Sequence, residues 1–133
     1  MRRLLGTLVC VGMVAGPSAA NATTPMAGRR HPPAHLMIDA QEYSLWPSRA
    51  RLPAGAVLVE LWNRGQDPHS TQIRRLNRAG AMTGPVLGRL RVTLPGRVSS
   101  ATWHLRTGRY ELYSSLFGHI EPGMQAELTV THR

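Results

Sequence analysis

Beyond residue 34 the apolar side chains alternate with polar ones in short runs, and a glycine or proline follows nearly every run within a few residues. A spacing of two belongs to an extended strand, whose successive side chains point to opposite faces. A helix would repeat every three to four residues. Runs over 35–42, 56–63, 70–76, 87–94, 98–105, 109–115 and 125–132 therefore read as strands. The chain's 13 glycines and 10 prolines supply the turns that so many short strands need. About seven to eight strands in roughly a hundred residues, with no helical stretch of useful length, predict an all-β fold of two packed sheets.

The alternation also says which side chains face inward. In the 109–115 run Tyr110, Leu112 and Ser114 share a face, so a serine ends an inward-facing row. In the 125–132 run Ala126, Leu128 and Val130 face in, while Gln125, Glu127, Thr129 and Thr131 face out. Trp46, Trp62 and Trp103 read as core and sheet packing. His104 falls in line with Val98, Ser100 and Thr102 and reads as structural or partly exposed. There is no internal repeat and no sign of a second domain.

The N-terminal stretch has a different character. Arg2 and Arg3 precede an apolar run from Leu4 to Ala15, and small residues end it at Ala20-Asn21-Ala22. That is the three-part plan of an export signal, so residues 1–22 are expected to be removed and the mature protein to be secreted or periplasmic. The apolar run is too short to span a bilayer of roughly 30 Å. Residues 23–34, with three prolines and no periodic pattern, read as a flexible leader, and 35–133 as the folded domain. The sole cysteine, Cys10, lies inside the signal, so the mature chain has none and no disulfide framework.

All 16 basic residues are arginine, and the formal charge is +9. Residues 23–133 keep 14 arginines against 7 acidic groups, a charge of +7. Such a balance commonly signals nucleic-acid binding. Export and the dispersal of the arginines argue against that here. A basic surface suited to an acidic protein partner or an anionic membrane surface is the better reading, on a chain expected to be a monomer.

Two stretches pair metal-ligand side chains with turn residues. Asn63-Arg-Gly65-Gln-Asp-Pro-His69 follows the 56–63 strand. Gly108-Arg-Tyr110 leads through Ser114 to Gly118-His119-Ile-Glu-Pro-Gly123-Met124 and the last strand. In the second an imidazole and a thioether stand five residues apart between glycines. Soft sulfur with borderline nitrogen suits copper better than calcium, magnesium or manganese.

These motifs resemble the cupredoxin family, the plastocyanin-like and amicyanin-like single-domain copper proteins. Such domains share an N-x-G-x-x-x-H turn, a G-x-Y-x-x-x-C strand and a P-G-H-x-x-x-G-M loop. Tyr43-Ser-Leu-Trp-Pro47-Ser and Leu52-Pro-Ala-Gly55 extend the likeness towards the N-terminus. The resemblance implies a Greek-key β-sandwich of cupredoxin type with a metal set of His69, His119 and Met124. The family's cysteine position falls on Ser114, and Phe117 stands where proline is usual.

The serine changes the expected chemistry. A thiolate gives a type 1 copper site its negative charge, its intense blue absorption and its electron path, and a hydroxyl gives none of these. Blue-copper electron transfer is not expected. With two histidines and a methionine, all neutral, charge and softness both favour Cu(I) over Cu(II). Asp67 or Glu121 would serve as an accessory carboxylate and shift the preference towards Cu(II) or Zn(II). The expected function is copper binding for handling or sequestration; the alternative is a metal-free interaction module docking through its basic surface. No acid or base is spaced to activate Ser114, so a serine hydrolase is not expected, and fold relatives that catalyse oxidations use further copper centres, so no enzyme is expected. Met26, His31, His35 and Met37 offer a second soft-metal set at the N-terminal side, although an ordinary polar leader is the preferred reading.

Overall fold

The computed structural model describes residues 31–116 and 123–133. The expected export signal, leader residues 23–30 with Met26, and positions 117–122 with Phe117, His119 and Glu121 lie outside the described residues. The described part holds nine strands: β1 (Ala34–Gln41), β2 (Ser44–Pro47), β3 (Arg51–Pro53), β4 (Gly55–Asn63), β5 (His69–Leu76), β6 (Met82–Thr93), β7 (Val98–Leu105), β8 (Gly108–Tyr113) and β9 (Gln125–Thr131).

Every run read from the alternation is a strand, and the two extra ones are β2 and β3. With four and three residues each, they are too short to show alternation, and each ends on a proline that reads as a turn. β6 begins at Met82, earlier than the expected 87, because Gly84-Pro85 looks like a breaker. As the outermost strand of its sheet, β6 tolerates a proline that lacks a ladder N–H.

The strands form two sheets, in the orders β2-β1-β4-β7 and β3-β9-β8-β5-β6. β1 runs parallel to β4 and β3 parallel to β9, while the remaining pairs are antiparallel. Both sheets contribute to one core that includes Leu36, Ile38, Val59, Leu61, Ile73, Leu112 and Leu128. Tyr110 is buried in it, and its hydroxyl donates to the Arg106 carbonyl four residues upstream at 2.5 Å, closing the corner before β8.

The tryptophans divide. Of the three read as core and sheet packing, Trp103 is buried in the core, but Trp46 and Trp62 are 67% and 41% exposed. The register explains this: Asp39 stands opposite both Trp46 and Trp62, so the three share the outer face of the first sheet, while Leu45 and Leu61 turn inward. The Arg64 guanidinium lies 4.9 Å from the Trp62 ring centre and pairs with Asp39 at 3.0 Å. His35 and Met37 belong to β1, as the 35–42 run predicts. His35 pairs with Glu60 of β4 at 2.5 Å, so the proposed second metal set is not a free tract.

The buried polar residues gather at one end. Among the described residues the buried polar side chains are Asn63, His69, Ser70, Thr71, Thr93, Ser99 and Ser114. All lie where β4, β6 and β8 finish and β5 and β7 begin.

Candidate metal centre

Asn63, the last residue of β4, builds the turn that delivers His69. Its Nδ2 donates to the carbonyls of Asp67 at 2.7 Å and Thr93 at 2.8 Å, and its Oδ1 accepts from the Gly65 N–H at 2.9 Å. One fully buried amide thus ties the 64–68 turn to β4 and to the end of β6. His69 follows as the first residue of β5, opposite Thr93, and its side chain is fully buried. The β5–β6 register shifts between His69 and Thr71, and this bulge accounts for three consecutive buried side chains in a strand that otherwise alternates.

Ser70 reaches the neighbouring strand, with its Oγ 3.1 Å from Ser115 Oγ. Ser114, one residue before, is fully buried at the end of the inward row of Tyr110 and Leu112, as the alternation predicts. Its N–H donates to the Met124 carbonyl at 3.1 Å, and its Oγ accepts a long 3.4 Å bond from the Leu116 N–H. Met124 is fully buried as the chain enters β9. The residue before it, Gly123, has φ +103°, a conformation that a side chain would strain.

A carboxylate also reaches this end, from a residue that spacing does not connect to it. Glu42 sits in the two-residue connection between β1 and β2, and its Oε1 lies 3.6 Å from His69 Nε2. The N–H groups of Gln66 and Asp67 donate to the same oxygen, the latter at 3.0 Å. These backbone donors, more than the nearby imidazole, lower the carboxyl pKa from 4.5 to about 2. Gly65 makes the approach possible: a Cβ there would stand 2.7 Å from His69 Nε2 and would collide with the Glu42 carboxylate. Tyr43, at φ +62°, completes the connection, and its carbonyl lies beside Gly123.

Of the residues singled out from the sequence, His69, Ser114 and Met124 are all buried at this end, and Ser114 and Met124 are joined by a backbone bond. Asp67 contributes its backbone here, and its side chain is exposed. The carboxylate that faces His69 among the described residues is that of Glu42; Glu121 lies outside them. The position of Glu42, 27 residues before His69, carries no signal in the sequence. Among the described residues no three His, Cys, Asp or Glu side chains gather into a metal cluster.

No family model and no curated protein matches the chain. Solved structures do resemble it. Dithionite-reduced auracyanin from Roseiflexus castenholzii shares 16% identity at TM-score 0.60, over 74% of this chain and 97% of that one. Auracyanin A, a "blue" copper protein from Chloroflexus aurantiacus, shares 17% at TM-score 0.60, over 75% and 100%. Rusticyanin from Thiobacillus ferrooxidans shares 19% at TM-score 0.59, over 73% and 76%. The chain has the cupredoxin fold.

Within a cupredoxin fold the donor set at the polar end can be weighed against a copper ion. A buried imidazole and a buried thioether are borderline and soft donors, which suit copper. The buried Thr71 Oγ1, on the same strand as His69, has no hydrogen-bond partner among the described residues. The hydroxyl is a hard donor and does not bear on the choice of metal; the imidazole and thioether buried at this end are what fit a soft ion.

Proposed function

We propose that this is an exported copper-binding protein that holds the ion through His69, His119 and Met124, for handling or sequestration and not for blue-copper electron transfer. The observation that carries the proposal is the burial of His69 and Met124 at the one polar end of the sandwich, with Ser114 at the end of the inward row. A bound copper ion would supply a centre for nitrogen and sulfur coordination. The chain's own residues would hold it, His69 and Met124 from two strand ends and His119 from the sequence between them. With no thiolate in the set, Cu(I) is preferred, because it leaves less uncompensated charge among neutral donors. The signal-like residues 1–22 support export.

Titration of the mature protein with Cu(I) against a competing chelator tests this. One saturable site, weakened in the His69→Ala and Met124→Leu variants, is the expected result. A folded protein with no saturable site would overturn it.

A metal-free docking module is the second reading. Its support is the exposed pair Trp46 and Trp62 on the outer face of the first sheet, with Arg64 over the Trp62 ring. Such a surface suits an acidic partner with apolar groups. Salt-sensitive capture that depends on Trp62 and Arg64 but not on His69 would favour it.

A further inference from the structure

We infer that Glu42 is the outer carboxylate of the polar end: it faces the His69 ring and supplies a negative charge that a cysteinate would otherwise bring. This rests on the copper reading for its charge role, but its link to His69 stands on geometry alone. Three features build the contact. Glu42 Oε1 lies 3.6 Å from His69 Nε2, within ion-pair range although longer than a hydrogen bond. The oxygen is fixed by the Gln66 and Asp67 N–H groups, which belong to the turn that Asn63 ties down and that leads into His69. Position 65 is a glycine, and any side chain there would fill the space that the carboxylate and imidazole share.

The chemistry follows from which ring nitrogen faces the anion. A lone pair on Nε2 would repel the carboxylate oxygen, whereas a proton there is attracted, so Glu42 favours the tautomer with hydrogen on Nε2. In that tautomer Nδ1 carries the ring's lone pair, the one through which a histidine ligates. Carboxylates placed behind a ligating histidine tune it in this way and make the ring a stronger donor. The charge acts further. A divalent ion among neutral donors leaves two uncompensated charges, and Glu42 offsets one of them at the edge of the site. Glu42 therefore narrows the preference for Cu(I) and lets the same residues accept a divalent ion. Asp67 cannot do this, since its carboxylate is exposed and its backbone is what the turn uses.

Two variants separate charge from position. Glu42→Gln keeps an acceptor oxygen for the turn and the ring but removes the charge; Glu42→Ala removes both. Zn(II), a redox-inert divalent probe, and Cu(I) are each titrated against chelators. Glu42→Gln is expected to weaken Zn(II) by about tenfold and Cu(I) by less, and Glu42→Ala to weaken both. Equal effects of Glu42→Gln on the two ions, or no effect on either, would overturn the charge role.

Ring 15N spectra of the metal-free proteins provide a readout that needs no metal. The wild type and Glu42→Gln should show His69 protonated at Nε2, and Glu42→Ala a mixture of tautomers. An unchanged tautomer in a folded Glu42→Ala protein would overturn the positioning role. If the wild type binds neither ion, the copper reading fails, and the ring spectra still decide whether Glu42 sets His69.

Discussion

Where β4, β6 and β8 finish, the sandwich buries an amide, an imidazole and five hydroxyls; elsewhere the interior is filled by residues such as Leu36, Val57, Ile73, Leu105 and Val130. The apolar part needs only volume and alternation, and its stability comes from area removed from water. The polar end depends on specific partners, and Asn63 alone makes three such bonds. A fold that wanted only stability would have filled both regions with leucine and valine. The two regions therefore differ in what a substitution removes: volume in one, specific partners in the other.

Truncating the apolar part should have the largest effect. Ile73→Ala or Leu112→Ala removes fully buried volume between paired strands and is expected to cost about 2–5 kcal/mol in urea unfolding. Ser114→Ala, equally buried but at the polar end, should cost well below either. Similar costs at both places would erase the distinction between the regions.

Asn63→Ala comes next. It leaves the Asp67 and Thr93 carbonyls and the Gly65 N–H without their partner, so a loss of about 1–3 kcal/mol is expected. Because the turn also holds Glu42, copper affinity should fall with it. A stable variant with intact affinity would show that the turn stands without Asn63.

Two glycine substitutions make the contrast sharper. A Cβ at Gly88 would stand 2.7 Å from the Trp103 ring, and one at Gly65 the same distance from His69 Nε2. Gly88→Ala overpacks the apolar part and should cost about 1–3 kcal/mol of stability while leaving metal affinity alone. Gly65→Ala should cost less stability and more affinity. Chelator competition and urea unfolding on the two proteins check this directly.

The smallest effect concerns pH. Glu42 is held at about 2 in the folded protein against an ordinary 4.5, so it is ionised longer on acidification than in the unfolded chain. Its contribution is fully present above 4.5 and is lost as the pH falls through about 2. The wild type should therefore exceed Glu42→Gln in stability near neutrality and converge with it towards pH 2. A gap that stays constant across that range would mean that the carboxylate's charge has no part in stability.

The strands were legible because alternation over seven or eight residues survives without tertiary help, as in 98–105, which β7 matches residue for residue. β2 and β3 were not, since three or four residues do not complete a pattern. The inward serine at 114 followed from the period of two alone. Trp46 and Trp62 lie outside the core because the register with Asp39 turns them to the outer face, which a single strand's sequence does not reveal. His69 and Met124 were legible from turn motifs, whose glycines and asparagine have local jobs. Glu42 was not, because its partners are the backbone N–H groups of a distant turn and only folding brings them together.

The claim that this polar end is a cupredoxin metal site lacking only its thiolate can be tested by restoring the sulfur. Ser114→Cys, purified with its thiol reduced and titrated with Cu(II), should develop an intense visible charge-transfer band that is lost when His69→Ala is added. A folded Ser114→Cys protein with one titratable thiol and no such band would contradict the claim.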